Sequence, residues 1–336
     1  LSILITKYFF FISSLIKLLP INPKPPVTII FFITFFFTII VILSILHSHM
    51  EFTSNNLTFV IVTFNSRKVI YNCLNSLPKD FRKLIIENSS DEELKKELEQ
   101  NYDKTEVVLS KNIGMGAGNN IGIIKSNTQY VYVLNPDVLL NEDTFSNINR
   151  SISNLENFAI LSPISDNPSY PNYKTNKNDD SIDDKIIKNV EEIDGYSMII
   201  NKKFFSDNIF FDEKIFMYLE NVDLCLRARK NKGKLFIIKN SEIHHLGAQA
   251  VDDKYSEEIE LSRNWHWMWS KLYFNKKHRG FFTSIILGLG SLFVNFLKYT
   301  IYTLTLNKKK NIYKMRVLGI SNALLGRQSW FRPLVN

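Results

Sequence analysis

The feature that most constrains the fold is a repeated alternation of short apolar runs with helix-like segments. The run LTFVIVT at 57–63 ends in a polar turn, and residues 67–77 then space apolar side chains at helical intervals. Runs of this kind predict buried parallel strands. The predicted strands are 57–63, 83–87, 106–109 and 130–134. Strands that alternate with helices predict an α/β fold with right-handed crossovers.

Polar residues lie at or just beyond the carboxyl ends of these predicted strands. They are Asn65, Glu87, Asn88, Asn112, Asn135 and Asp137. In open α/β sheets, ligands bind at the carboxyl ends of the strands. We therefore expect these side chains to converge on one edge of the sheet and to form an active site there.

Asp137 is the main candidate for a metal ligand. It follows a buried strand, and Pro136 fixes the backbone before it. Mg²⁺ and Mn²⁺ prefer oxygen ligands and often combine one or two protein carboxylates with phosphate oxygens. Turn chemistry alone would account for an isolated Asn-Pro-Asp tripeptide, so its position after the strand is what favours the metal.

The segment 112–120 (NIGMGAGNN) contains three glycines, which let a backbone approach a ligand closely. No Gly-Lys-Ser/Thr follows, so the segment is not a Walker loop, and its spacing is not Gly-x-Gly-x-x-Gly. A nucleotide contact is the favoured interpretation, and a tight strand–helix connection is the alternative.

Two acidic residues lie in the helix-like segment 216–229. Glu220 and Asp223 are three residues apart and share a helical face, while Arg227 lies four residues beyond Asp223 and could pair with it. Apolar neighbours raise the pKa of a carboxyl group and suit it to act as a base. The alternative is a solvated acidic face.

His244 and His245 end the strand-like segment 237–246. Adjacent residues of a strand point to opposite faces, so at most one of the two enters a site. A histidine near a carboxylate site is a plausible metal ligand, although a lone histidine is more often structural.

Seven motifs, in this order, resemble family 2 glycosyltransferases of the GT-A fold, in particular rhamnosyltransferase-like members that build cell-surface polysaccharide. They are VIVTFNS at 60–66, IIENSS at 85–90, NIGMGAGNNIGI at 112–123, LNPDVLL at 134–140, DGYSMII at 194–200, FDEKIFMYLENVDLCLR at 211–227 and IHHLGAQA at 243–250. The resemblance covers about residues 57–280 and implies a mainly parallel central sheet with apolar terminal helices.

The resemblance implies an inverting displacement from a nucleotide-diphosphate sugar with Mn²⁺ or Mg²⁺ as cofactor. Residues expected at the nucleotide or donor are Thr63, Asn65, Glu87, Asn88, Asn112, Gly114, Gly116, Asn119, Asn135 and Gly195. Asp137 would bind the metal together with one of His244 and His245, and the spacing to Gly247 favours His245.

The chain departs from the family pattern at Asn221, which stands where the family often has the acid taken as the general base. Glu220 or Asp223 would then take that role, and Glu220 is favoured. Alternatively, the chain is a non-catalytic protein of the same fold that binds sugar nucleotides or glycans. A nucleotidyltransferase is disfavoured. Its first strand–helix loop should be basic and rich in glycine, whereas the corresponding loop here, FNSRKVIYN at 64–72, contains no glycine.

Composition limits the other function classes. Cys73 and Cys225 lie far apart without a Cys-x-x-Cys pair, which argues against a disulfide framework or a zinc site. The net charge of +8 suits phosphorylated substrates or anionic lipid. No helix-turn-helix, zinc-finger or RNP-like pattern is present, so nucleic acid is not an expected partner.

Both ends of the chain are apolar. Residues 1–49 contain an uncharged run at 27–46, which is expected to be either a membrane anchor or an upstream extension of a protein that begins at Met50. Residues 281–306 are also apolar and lie between basic clusters at 276–279 and 308–310. We therefore expect a catalytic domain at 50–280 and a membrane-associated segment at 281–336. This arrangement predicts a location at the cytoplasmic face of the cell (inner) membrane, with a lipid-linked glycan as acceptor.

Overall fold

The computed structural model describes residues 50–153, 155, 157–175, 185–205, 209–247 and 255–333. The predictions for residues 1–49 lie outside these residues, as does the end of the 243–250 motif.

The described residues form eleven strands and eight α-helices. The strands are β1 Leu57–Thr63, β2 Arg82–Glu87, β3 Thr105–Leu109, β4 Tyr130–Leu134, β5 Val138–Leu140, β6 Phe158–Ser165, β7 Tyr173–Lys174, β8 Ile187–Asn189, β9 Glu192–Ile193, β10 Ser197–Asn201 and β11 Lys234–His245. The helices are α1 Arg67–Ser76, α2 Glu92–Asn101, α3 Met115–Lys125, α4 Thr144–Ile152, α5 Glu220–Lys230, α6 Ser256–Arg279, α7 Phe281–Leu304 and α8 Lys310–Leu324.

Nine of these strands make one sheet, in the order β3-β2-β1-β4-β10-β6-β11-β5, with β8 paired to β11. The first four are parallel, as the strand–helix alternation predicts. Strand β10 runs antiparallel to both β4 and β6, and β5 runs antiparallel to β11. The predicted α/β class is therefore confirmed, and the sheet is parallel in its first half and mixed in its second.

Strand β1 is buried along its whole length because both faces of the sheet are covered. Phe59 and Ile61 contribute to the apolar core on one face, and Val60 contributes to the core on the other. Helix α3 packs on the Val60 face so closely that a Cβ at Gly122 would lie 2.4 Å from Val60 Cγ1. This approach brings the amino end of α3 to the carboxyl end of β1.

Helices α6, α7 and α8 follow the sheet and pack on one another. Helix α7 buries Ser284, Gly288 and Asn295 and exposes most of its apolar side chains, including Phe282 and Phe293. Among the described helices, α7 is the one that is long and apolar enough to cross a membrane. The predicted apolar helix near the carboxyl end is therefore present.

Candidate active site

The carboxyl ends of β1 and β2 are joined to the amino end of α3 through Asn88. The buried Asn88 donates its backbone N–H to the carbonyl of Thr63 (2.8 Å) and its Nδ2 to the carbonyl of Gly114 (3.3 Å). Its Oδ1 is buried without a hydrogen-bond partner. An unpartnered buried acceptor is unusual in a folded protein and is a candidate contact for a ligand.

Glu87 organises the loop that follows β2. Its carboxylate accepts hydrogen bonds from the backbone N–H groups of Ser89 (3.1 Å) and Asp91 (2.6 Å) and from the Ser89 hydroxyl. Asn65 adopts a left-handed backbone with φ of 51° and donates its N–H to the Ser89 hydroxyl (3.3 Å). The structure thus places Glu87 and Asn65 at the predicted edge of the sheet. The Glu87 carboxylate is hydrogen-bonded to Ser89 and Asp91 of the loop that follows it.

The glycines at the start of α3 allow the segment before α5 to come close. Gly114 has φ of 92°, and a Cβ there would lie 2.4 Å from the carbonyl oxygen of Phe216, so only glycine fits. A Cβ at Gly116 would lie 3.5 Å from Glu220 Cβ. Asn119, one turn further on, is buried and has an unpartnered Oδ1. Asn112 offers its carbonyl oxygen to Arg332 Nε (3.3 Å).

Asp137 lies beside His245 because β5 and β11 pair with Val138 opposite His245. Asp137 is buried, its Oδ2 is 3.5 Å from His245 Nε2, and its Oδ1 has no hydrogen-bond partner. His244 lies elsewhere and forms a 2.7 Å contact between its Nδ1 and Asp166 Oδ2. Of the two predicted histidines, the structure brings only His245 to Asp137.

The turn before β10 connects Asp137 to α5. Tyr196 stacks its ring on the His245 ring at 4.0 Å, and its backbone carbonyl accepts a hydrogen bond from the backbone N–H of Asn135 (3.0 Å). A Cβ at the neighbouring Gly195 would lie 3.2 Å from Asn221 Cβ. The Asn135 Oδ1 is buried and unpartnered, like those of Asn88 and Asn119.

Within the described part of the chain, no cluster of three or more His, Cys, Asp or Glu side chains is arranged to hold a metal ion. Asp137 and His245 nevertheless supply one oxygen and one nitrogen donor, and the free Oδ1 of Asp137 is buried. Mg²⁺ and Mn²⁺ often bind few protein ligands and complete their coordination with phosphate oxygens and water. The pair therefore fits a metal held jointly with a diphosphate.

Glu220 begins α5, four residues later than the predicted helix, because Tyr218 and Leu219 both have left-handed backbones with φ of 68°. This break places Glu220 in the first turn, where its Oε2 is buried without a partner. The residue as a whole is partly accessible, but the carboxyl group that titrates is enclosed. Burial raises the pKa of Glu220 to about 7, which suits a base at neutral pH.

Asp223 has a different environment, although it lies on the same helix. Its carboxylate is fully buried and contacts Arg227 Nε (2.8 Å), Lys277 Nζ (2.7 Å) and His278 Nε2 (2.7 Å). Burial alone would raise the pKa of Asp223, but hydrogen bonds from Lys277, Arg227 and His278 lower it. Asp223 therefore anchors α5 to the end of α6, and its oxygens are occupied by cations.

Comparison with known proteins gives a match to one family model over just under half of the chain. Residues 58–224 match the model described as Glycosyl transferase family 2. This part of the chain is similar to family 2 glycosyltransferase domains. It contains every site residue predicted from the sequence except His244 and His245.

The chain is 26% identical over 227 residues to the low-salt glycan biosynthesis hexosyltransferase Agl10 of Haloferax volcanii, over 62% of this chain and 70% of that protein. The mannosyltransferase PcManGT from Pyrobaculum calidifontis, crystallised with GDP-Man and Mn²⁺, matches with a TM-score of 0.51 at 11% identity, over 83% of this chain and 90% of that one. The crystal structure of S. aureus TarS matches with a TM-score of 0.43 at 13% identity, over 62% of this chain and 39% of that one. The PcManGT match supports the GT-A fold.

Two residues at the site were not among those predicted from the sequence, Tyr196 and Arg332. Tyr196 lies within the DGYSMII motif, so its stacking on His245 could have been suspected from that motif. Arg332 lies 220 residues from its partner Asn112, and no local pattern links the two. Asn221 donates its Nδ2 to the carbonyl of Ile193 (3.0 Å), which gives this departure from the family pattern a structural role.

Proposed function

We propose that this protein is an inverting, metal-dependent glycosyltransferase that moves a hexose from a nucleotide-diphosphate sugar to a lipid-linked or cell-surface glycan acceptor. The observation that carries the proposal is the enclosed carboxyl group of Glu220, which has a free oxygen and a pKa near neutrality. It lies in the same matched segment, residues 58–224, as the unpartnered oxygen of Asp137. Two such carboxyl groups suit a base and a metal ligand, respectively.

The donor would be held by the buried amides at the ends of β2 and β4 and at the start of α3. Asn88, Asn119 and Asn135 each have a buried oxygen without a partner. Such oxygens are acceptors for the hydroxyl or N–H groups of a nucleotide sugar, which would satisfy them. The Gly114–Phe216 contact fixes the loop that carries Asn112.

Asp137 and His245 would hold Mn²⁺ or Mg²⁺ on the donor diphosphate. The bound metal supplies Lewis-acid stabilisation of the charge that develops on the departing nucleoside diphosphate. Tyr196, stacked on the His245 ring, fixes the orientation of that ring toward Asp137.

Glu220 would act as the general base. Its carboxylate accepts the proton of the acceptor hydroxyl while that oxygen bonds to the anomeric carbon. The bond from the anomeric carbon to the diphosphate oxygen breaks on the opposite face, and its electron pair leaves with the nucleoside diphosphate. One displacement of this kind inverts the anomeric configuration.

The relatives support this assignment of substrate class. Agl10 is named as a hexosyltransferase of glycan biosynthesis, and PcManGT was crystallised with GDP-Man and Mn²⁺. The finer assignment to a rhamnosyl donor rests on the order of the sequence motifs and is part of the proposal that a donor panel tests.

The acceptor would be reached at a membrane. Helix α7 exposes a broad apolar surface in which Phe282, Ile286 and Phe293 are all more than 60% accessible. Basic residues stand at both ends of this helix, at 276–279 and at 308–310. Apolar burial together with attraction to anionic lipid supports association with the cytoplasmic face of the membrane.

The test is release of nucleoside diphosphate from a panel of UDP-, GDP- and dTDP-sugars, dTDP-rhamnose included, with Mn²⁺ or Mg²⁺ and a membrane extract as acceptor. Turnover of one donor that is lost in Asp137→Ala and Glu220→Gln is expected. Asp143→Ala removes an exposed carboxylate after β5 and should keep full activity. Binding of a donor without turnover would instead support a non-catalytic binding protein.

Flotation with lipid vesicles tests the proposed membrane association of α7 separately from activity. The chain should float with vesicles that contain phosphatidylglycerol, and a Phe282→Glu, Phe293→Glu double variant should not. Equal flotation of this variant would overturn the role of α7.

A further inference from the structure

The residues after α8 form a strap, defined here as residues 325–333, that runs back along α6. Trp269 Nε1 donates to the carbonyl of Arg327 (3.0 Å), and Trp330 Nε1 donates to Asn322 Oδ1 (3.0 Å). His266 Nε2 contacts the carbonyl oxygen of Phe331 (2.8 Å). The strap is therefore fixed by side chains at several points along its length.

His266 contacts the strap through both of its ring nitrogens. A carbonyl oxygen only accepts, so Nε2 carries the proton that is donated to Phe331, and Nδ1 accepts from the Ser329 hydroxyl (3.0 Å). Burial lowers the pKa of His266 to about 4, so the ring is neutral at physiological pH. Both hydrogen bonds between His266 and the strap are therefore kept at physiological pH.

The strap ends with Arg332 at the donor loop. The guanidinium carbon lies 3.7 Å from the centre of the Phe216 ring, and Nε donates to the carbonyl of Asn112 (3.3 Å). Nη1 donates to the carbonyls of Ser329 (2.9 Å) and Phe331 (2.8 Å). Among the described residues, Nη2 has no hydrogen-bond acceptor.

No carboxylate of the described residues lies within ion-pair distance of Arg332. Burial lowers the pKa of Arg332, which reflects a cation partly removed from water without a counter-ion. Burying a charge is costly unless it is paired. The amino end of α3, whose N-cap is Gly114, adds its own partial positive charge nearby, and Gly114 packs directly on Phe216.

We propose that Arg332 binds a phosphate or diphosphate group at the edge of the donor site, delivered there by the strap. This inference rests on the proposed function. An anion at this point would pair with Nη2 and would offset both the guanidinium charge and the α3 dipole. The diphosphate of the nucleotide donor and the phosphate of a lipid-linked acceptor share this chemistry.

The experiment measures binding of UDP, GDP and dTDP in the presence of Mn²⁺ to the full chain by calorimetry. The variants are Arg332→Ala, Arg332→Lys and the control Arg327→Ala, which removes the same charge from an exposed position of the strap. Arg332→Ala should weaken binding of the preferred nucleotide by about 10- to 100-fold, with partial recovery in Arg332→Lys and no change in Arg327→Ala. Thermal melting of each variant shows whether the fold is kept.

Steady-state kinetics separate the two sources of phosphate. A rise confined to the donor KM assigns the donor diphosphate, and a rise confined to the KM of a polyprenyl-phosphate acceptor assigns the acceptor phosphate. If wild type binds a nucleotide and Arg332→Ala matches it in nucleotide affinity and in both KM values, the inference is wrong while the proposed function stands. If wild type binds none of the nucleotides, the proposed function itself fails.

Discussion

Replacing Glu220 by Gln should stabilise the fold at alkaline pH and abolish turnover. Gln is close in shape to the protonated carboxyl group, so the variant keeps the neutral form of the side chain at every pH. The Oε2 of Glu220 is enclosed without a donor, and burial raises the pKa to about 7 from 4.5 for an exposed glutamate. Wild type therefore ionises a group that the folded state prefers to keep protonated.

The sign of the effect follows from proton binding. Between pH 4.5 and about 7 the folded chain holds a proton on Glu220 that the unfolded chain has released, so the free energy of unfolding falls as pH rises through this window. One pKa unit corresponds to about 1.4 kcal/mol, so the full difference is about 3 kcal/mol. Glu220→Gln should thus match wild type near pH 4 and exceed it by up to about 3 kcal/mol at pH 8.

Urea denaturation of both proteins in detergent between pH 4 and pH 8 measures this difference. Glu257→Gln, at an exposed position in the first turn of α6, is the control and should show no comparable trend. In parallel, kcat/KM of wild type should rise with pH to a plateau above about pH 7. A stability difference between Glu220→Gln and wild type that does not change with pH would refute the argument that the carboxyl group is desolvated.

Three further predictions follow from other contacts. Asp223→Ala leaves Arg227, Lys277 and His278 without their shared carboxylate and should lower the free energy of unfolding, measured by urea denaturation, by about 3–5 kcal/mol. In wild type, the stabilisation from this carboxylate should be lost as pH falls through the lowered pKa of Asp223. Gly114→Ala should lower the melting temperature by several degrees, whereas Gly290→Ala, at an open helical position, should keep or raise it. His245→Ala should weaken Mn²⁺ binding in the presence of nucleoside diphosphate by about 10- to 100-fold, as followed by electron paramagnetic resonance, and unchanged affinity would exclude His245 as a ligand.

The first half of the fold could be predicted because each local signal agrees with the tertiary structure. The apolar run 57–63 is β1 without a change of boundary, and Asp91 at the start of α2 accepts the N–H of Leu94 (2.9 Å), as expected of an Asp just before a helix. Parallel strands buried on both faces are continuous apolar runs, so their number and their positions along the chain can be inferred from the sequence. The convergence of Asn88 and Asn135 on one edge follows from the same topology.

The second half could not be predicted in the same way. Strand β6 continues through Pro163 into polar residues, and β5 is only three residues long, so neither gives a clear periodic pattern. The start of α5 is set by the left-handed Tyr218 and Leu219, which carry no local signal for such a conformation. The strap reaches Asn112 through contacts across most of the chain, beyond any local pattern.

Helix α6 contacts the segment before Glu220, the strap and helix α7. Ser270 donates its hydroxyl to the carbonyl of Met217 (2.7 Å) just before Glu220, and Lys277 and His278 hold Asp223 in the same helix as Glu220. A single residue, Gly280, separates the end of α6 from the start of α7.

The contacts of α6 thus connect α7 to the turn that sets the position of Glu220. Loss of the Asp223 cluster should therefore lower kcat more than it raises the donor KM, since it loosens the base and leaves the amides that hold the donor in place. A rise in donor KM without loss of kcat would show that α5 positions the donor instead of the base.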